Sequence, residues 1–228
     1  MRYILASNSK FKKEIFEKVG YNFECIDSNF EKEEKEKYKE DKELKENYKE
    51  EKKKDNIQDP YEYVMYLAKG KAENVYSNIV EESKSINDDM IIIGLDTIVY
   101  SDNNILEKPK SKKEAMQNLL NSSNKKNEVI SGICIIYVKD NTISKEIVDY
   151  DNTYIYFNEI RKEDAKYYVE NEKDALYASG FVVETYVSNF VRKIEGNYYN
   201  ILGVPVSKIY SHLNSLSIYL SDLNDLNN

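Results

Sequence analysis

Asp96 sits in the segment MIIIGLDTIVY, residues 90–100, a run otherwise dense in Ile and Val. A carboxylate placed among such residues is costly to bury unless it is paired, hydrogen-bonded or bound to a cation. Two lysines accompany it, Lys71 in LAKGKA and Lys108 in LEKP, each in a short motif able to aim an ammonium group at one place. One carboxylate with several lysines suits polyphosphate chemistry: the carboxylate holds a metal ion or acts as a base, and the cations offset charge on phosphate oxygens. Each lysine taken singly is an ordinary solvated residue, so the combination carries the reading. Ser7 and Ser9, with Lys10, Lys12 and Lys13, surround a helix start, where free N–H groups and the positive dipole end favour a phosphate.

Alternating strands and helices must hold these residues. Residues 2–6 read as a strand, and Ser9 then caps a helix whose apolar positions Ile15, Phe16 and Val19 run to Gly20. Residues 21–26 read as a second strand. Asp59-Pro60 starts a helix extending to about Ser77, and residues 90–100, apolar on both faces, form a central strand whose hairpin partner is NNILEKP. A helix over 111–120, strands over 128–138 and 143–157, a helix over 161–169, a strand-like stretch over 181–194 and a helix from Pro205 to about Leu220 complete the pattern, before a polar tail at about 221–228. Interleaving of this kind predicts an α/β fold with a mixed, twisted sheet flanked by helices, formed as a single domain over residues 1–228.

Residues 31–54 hold ten acidic residues and ten lysines. Taking these from the 41 acidic and 33 basic residues of the chain leaves 31 against 23, so the net charge of -8 belongs entirely to the remainder. That field disfavours duplex nucleic acid as a partner. The charged insertion, about residues 31–56, lacks an apolar stripe and predicts a solvated segment. No apolar run approaches the ~20 residues of a membrane span, and no leader is visible at the start, which gives a cytoplasmic protein as the expectation. Cys25 and Cys134 are too far apart for a metal motif and read as buried free thiols, while the single histidine, His212, reads as a helix-surface residue.

Four segments in order, ILASNSKFKKEIFEKVG, YEYVMYLAKGKAENV, IIGLDTIVYSDNNILEKPKSKKEAMQNL and FVRKIEGNYYNILGVPVSKIY, resemble the successive signature blocks of the Maf family of nucleoside triphosphate pyrophosphatases. The resemblance implies an elongated, two-lobed, inosine triphosphatase-like architecture with a central cleft. It also implies cleavage of a nucleoside triphosphate to the monophosphate and pyrophosphate with a divalent cation, Mg or Mn. Position by position, the family's catalytic Asp falls on Asp96, its two lysines on Lys71 and Lys108, and its opening serines on Ser7 and Ser9. Its second phosphate-facing Arg is kept only as Lys12, without the bidentate fork. The acidic metal ligand after the second strand falls on Glu31 or Glu33, both eligible, so the implied metal set is Asp96 with one of these. Nucleotide is the implied partner, and a homodimer is left open. The competing reading is a non-catalytic nucleotide-binding regulator or scaffold linked to cell division.

The stretch DALYASGFVVET departs from the family's usual Asp-Lys-Ala-Gly. Glu184 stands where the pyrimidine-specific branch has Gln, and Phe11 where that branch has its first Arg. An aromatic face with a carboxylate suits an N7-methylated guanine, which the 7-methyl-GTP branch recognises. Thr97 and the NYYNILGVP segment look instead like the dTTP/UTP branch. The base is therefore expected to be 7-methylguanine or else thymine and uracil, with Phe11, Thr97 and Glu184 as its readers.

Overall fold

The computed structural model describes residues 1–30, 59–82, 88–106, 108–177 and 179–224. Strand β1, Arg2–Ala6, leads into α1, Lys10–Lys18. Ser9 caps that helix through its side chain, and Gly20 at φ 80° turns the chain out of it, a conformation that costs glycine little. Then come β2, Glu24–Ile26, and the long helix α2, Pro60–Glu82. Strand β3, Met90–Ser101, is buried along almost its whole length, as its unbroken apolar character requires of a central strand. A turn with Asp102 and Asn103 at φ 50° and 61° returns it to β4, Asn104–Leu106.

Helix α3, Lys112–Asn121, precedes two long strands, β5, Lys126–Lys139, and β6, Thr142–Phe157. They are followed by α4, Lys162–Asn171, a 3₁₀ turn over Tyr186–Phe190, and β7, Val191–Glu195. Among the described residues three helices follow: α5, Tyr198–Ile201, α6, Val206–Ser215, and α7, Leu220–Asn224. The sheet has seven strands in the order β2-β1-β3-β5-β6-β7, with β4 paired to β3. β1 is parallel to both β2 and β3, whereas β3 with β4 and β6 with β7 are antiparallel. The expected α/β class with a mixed sheet and flanking helices is met.

The described residues gather into two compact units. The first combines Met1–Asp96, Gly132–Asp149 and Ile209–Asn228, and the second combines Thr97–Ser131 and Tyr150–Lys208. In the first, α2 lays Ala68, Ala72, Val75 and Ile79 over Ile4, Ile92, Cys134 and Ile136. In the second, α3 and α4 pack against each other and bury Ala115, Leu119, Tyr168 and Val169 with Ile155, Phe157 and Phe181.

Five expectations are corrected, the first being that of two buried thiols: Cys134 is buried, but Cys25 is only half-buried. Residues 21–23 lie outside β2, because the rings of Tyr21 and Phe23 pack on Phe16 at 5.4 and 5.1 Å and on each other at 6.0 Å. Residues 181–190 are turns and a 3₁₀ helix, so only the last part of the expected strand exists. The final helix ends at Ser215, and the start of the expected tail is helix α7, which buries Leu223. His212 is half-buried, with Nε2 2.9 Å from Asp149 Oδ2. The charged insertion lies outside the described residues.

Candidate active site

Asp96 belongs to the first unit and is 8% exposed. Its placement begins with Gly94. A Cβ at that position would stand 2.1 Å from Ala68 O and 2.9 Å from Ala72 N, so α2 approaches β3 only because the side chain is missing. Gly132 does the same one strand further on, where a Cβ would meet Val64 O at 2.2 Å. With α2 lowered onto the sheet, Lys71 reaches Asp96, and Nζ lies 2.5 Å from Oδ1. Both side chains are 12% exposed, so the pair is largely withdrawn from water. Among the described residues Oδ2 of Asp96 receives no hydrogen bond.

The parallel pairing of β1 and β3 matches Ala6 with Gly94, which puts Ser7 at the carboxyl end of β1 and Asp96 in β3 just beyond the last residue paired with β1. Ligand sites in open α/β sheets form at such ends. Ser7 Oγ accepts the Ser9 N–H at 3.2 Å, and Ser9 Oγ accepts the Lys12 N–H at 3.4 Å, so the serines organise the first turn of α1. Lys12 then donates from Nζ to Leu95 O at 2.8 Å, one residue before Asp96. Ser7, Ser9, Lys12, Lys71 and Asp96 are thus brought to one end of the first unit. Phe11, also on α1, is half-buried.

The chain leaves β2 through Asp27 and the buried Ser28, and the Phe30 ring then settles on Gly70, where a Cβ would lie 2.1 Å from its Cζ. Glu31 and Glu33, the implied metal ligands, follow Phe30 outside the described residues. Among the described residues no three His, Cys, Asp or Glu side chains cluster as a metal site.

Thr97, Lys108 and Glu184 belong to the second unit and are described there. The Thr97 and Ser131 hydroxyls are 2.9 Å apart, and Ser131 in turn donates to Asn200 O at 3.5 Å. Asn200, fully buried on α5, donates to Val129 O at 3.0 Å and to Thr153 Oγ1 at 3.2 Å. This buried polar chain was not visible in the sequence as a site, because Ser131 and Asn200 carry no local motif. Glu184 is exposed, and burial first, then the Glu184 charge, raises the Tyr198 phenol above its ordinary range. Lys108 is exposed, with Nζ 5.2 Å from the centroid of the Tyr177 ring.

A family model described as Maf-like protein matches residues 2–216. The chain belongs to the Maf family. Similar relatives include the dTTP/UTP pyrophosphatase of Clostridium perfringens (strain SM101 / Type A), 33% identical over 96% of this Maf protein and 98% of that chain. The dTTP/UTP pyrophosphatase of Clostridium tetani is 34% identical over 96% of this chain and all of its own length. That of Clostridium acetobutylicum is 32% identical with the same coverage. Among solved structures, the Staphylococcus aureus Ham1 protein matches at a TM-score of 0.32 and 15% identity over 69% of this Maf protein and 72% of its own chain, a likeness too slight to bear on the fold.

Proposed function

We propose that this Maf-family nucleoside triphosphate pyrophosphatase is metal-dependent and acts on dTTP and UTP, releasing the nucleoside monophosphate and pyrophosphate. The observation that carries the reading is the withdrawn Lys71–Asp96 pair on β3, next to Leu95, whose carbonyl Lys12 reaches from the serine-capped start of α1. Lys71 fixes the carboxylate by its contact with Oδ1, which leaves Oδ2 to take a cation or to orient and deprotonate the attacking water. Ser7, Ser9 and Lys12 receive the phosphates, using the positive dipole end of α1 and one ammonium charge. Lys108, in the role the family resemblance implies for it, offsets phosphate charge.

The donor chemistry fits a hard divalent ion such as Mg or Mn, which takes one or two protein carboxylates and completes its shell with water and substrate phosphates. Asp96, with Glu31 or Glu33, would hold it. When bound it supplies charge compensation for the departing pyrophosphate.

The names of the relatives favour the pyrimidine reading of the base, as do Thr97 and the NYYNILGVP segment. Phe11 and Glu184 remain the residues that would favour 7-methylguanine. Steady-state hydrolysis of dTTP, UTP and 7-methyl-GTP with Mg or Mn tests the choice. A higher kcat/KM for dTTP and UTP is expected, and a preference for 7-methyl-GTP overturns it. Tight triphosphate binding without hydrolysis of any of them would return the non-catalytic regulator. The cytoplasm is proposed as the compartment, and among the described residues no helix is long and apolar enough to cross a membrane.

A further inference from the structure

We infer that Tyr177 is a positioning residue for Lys108, its ring restraining the ammonium group that meets the phosphates of the substrate. The inference rests on the proposed role of Lys108 and adds a residue lying in DALYASGFVVET, where this chain departs from the family's usual stretch.

Lys108 Nζ lies 5.2 Å from the Tyr177 ring centroid, within the range in which a ring face attracts an ammonium. The backbone makes this meeting more than an encounter of two surface side chains. The Ser179 hydroxyl donates to Leu106 O at 2.8 Å, just ahead of Lys108. Gly180, at φ 98°, presses so close to the residue after Lys108 that a Cβ would lie 3.2 Å from Pro109 Cγ and 3.0 Å from Ala115 Cα. Asn118 Nδ2 donates to Ser179 O at 2.9 Å, fastening the same turn to α3. The turn itself is closed by Tyr177 N–H to Asp174 O at 2.8 Å and Gly180 N–H to Tyr177 O at 2.9 Å. The segment bearing the ring is thereby locked to the segment bearing the lysine on both sides of Lys108.

The chemistry of the contact suits a phosphate-binding lysine. A long lysine stem loses much rotamer freedom when it is put to work, and a ring beneath it removes part of that freedom in advance. A carboxylate would do so only by neutralising the charge, as Glu195 does for Lys193, which also lies 5.5 Å from the Tyr156 ring centroid. A ring face leaves the charge uncancelled and N–H donors available for phosphate oxygens.

The test is a double-mutant cycle on the full chain with dTTP, using Tyr177→Phe, Tyr177→Leu and Lys108→Ala. Tyr177→Phe keeps the ring and is expected to keep wild-type kcat/KM. Tyr177→Leu is expected to lower kcat/KM by about two- to fivefold, the size of an exposed cation–π contact. In the Lys108→Ala background the same substitution should then cost nothing further, because the group it positions is gone. Equal losses in both backgrounds, or a loss in Tyr177→Phe equal to that in Tyr177→Leu, would mark a structural role and overturn the inference. Wild-type activity in Lys108→Ala would instead overturn the reading of Lys108 itself. If Tyr177→Leu does not fold, Tyr177→Met enters the same cycle with the same criteria.

Discussion

Lys71 Nζ and Asp96 Oδ1 lie 2.5 Å apart, on side chains each 12% exposed, from a helix and a strand that touch only because Gly94 has no side chain. The pair therefore has two consequences, one for turnover and one for stability, and they can be separated.

Asp96→Asn preserves shape and removes the charge. Turnover, read as pyrophosphate release, is expected to fall at least about a hundredfold, the lower end of general-base effects. The same change takes a carboxylate from the largely withdrawn Lys71 ammonium and is expected to lower the melting temperature. Adding Lys71→Met should restore the melting temperature while turnover stays lost. A single variant keeping more than about a tenth of the wild-type rate refutes the role given to Asp96.

Gly94→Ala tests how the site is built. The new methyl group meets Ala68 O at 2.1 Å, a backbone atom in mid-helix, so α2 must lift. Overpacking of this kind costs about 1–3 kcal/mol, or several degrees in melting temperature for a chain of this size. Lys71 rides on the displaced helix, so kcat should fall with stability. An unchanged melting temperature would show that α2 is free to move.

Alkaline pH should destabilise the fold. Burial pushes the Cys134 thiol and the Tyr21 and Tyr168 phenols up to about 12 from ordinary values of 9.0 and 10.0. Each group stays neutral in the folded chain where the unfolded chain already ionises, so unfolding releases protons and stability drops as pH rises. Stability is expected to hold below about pH 9 and to decline between there and about pH 12. Melting curves across that range check the window, and thiol labelling that reaches Cys134 in the native protein at neutral pH would contradict its burial.

Deleting Glu34 to Lys54 is expected to leave hydrolysis and melting temperature nearly unchanged, since that stretch offers no apolar stripe with which to dock. A drop of several degrees would show that it packs against the body.

The parts of the fold that were legible in the sequence are those set by local signals. Ser9 and Ser111 cap helices through their own side chains, and Asp102-Asn103 adopts the turn that short polar residues permit. Phe181, Val183 and Val187 have the apolar spacing of a strand, yet their burial comes from packing against Phe157 and its neighbours, which no local period discloses. The same holds at the site. Asp96 announces itself by being out of place in an apolar strand, and Lys71 and Lys12 gain meaning from that anchor. Ser131, Asn200 and Tyr177 acquire their partners only once distant segments are brought together, and Gly94 and Gly132 look unremarkable until α2 lies on them.

The division of the chain among its units bears on its synthesis. Ser7, Ser9, Lys12, Lys71 and Asp96 are all synthesised before residues 132–149 and 209–228, which the body that holds them also takes in. Ile209, Leu213 and Leu223, each at most 1% exposed, are among its last contributions, and His212 ties α6 to Asp149. A growing chain thus carries the proposed site residues of its first unit before the segments that pack around them. The order of synthesis thus puts the site's residues first and part of their support, residues 209–224, last.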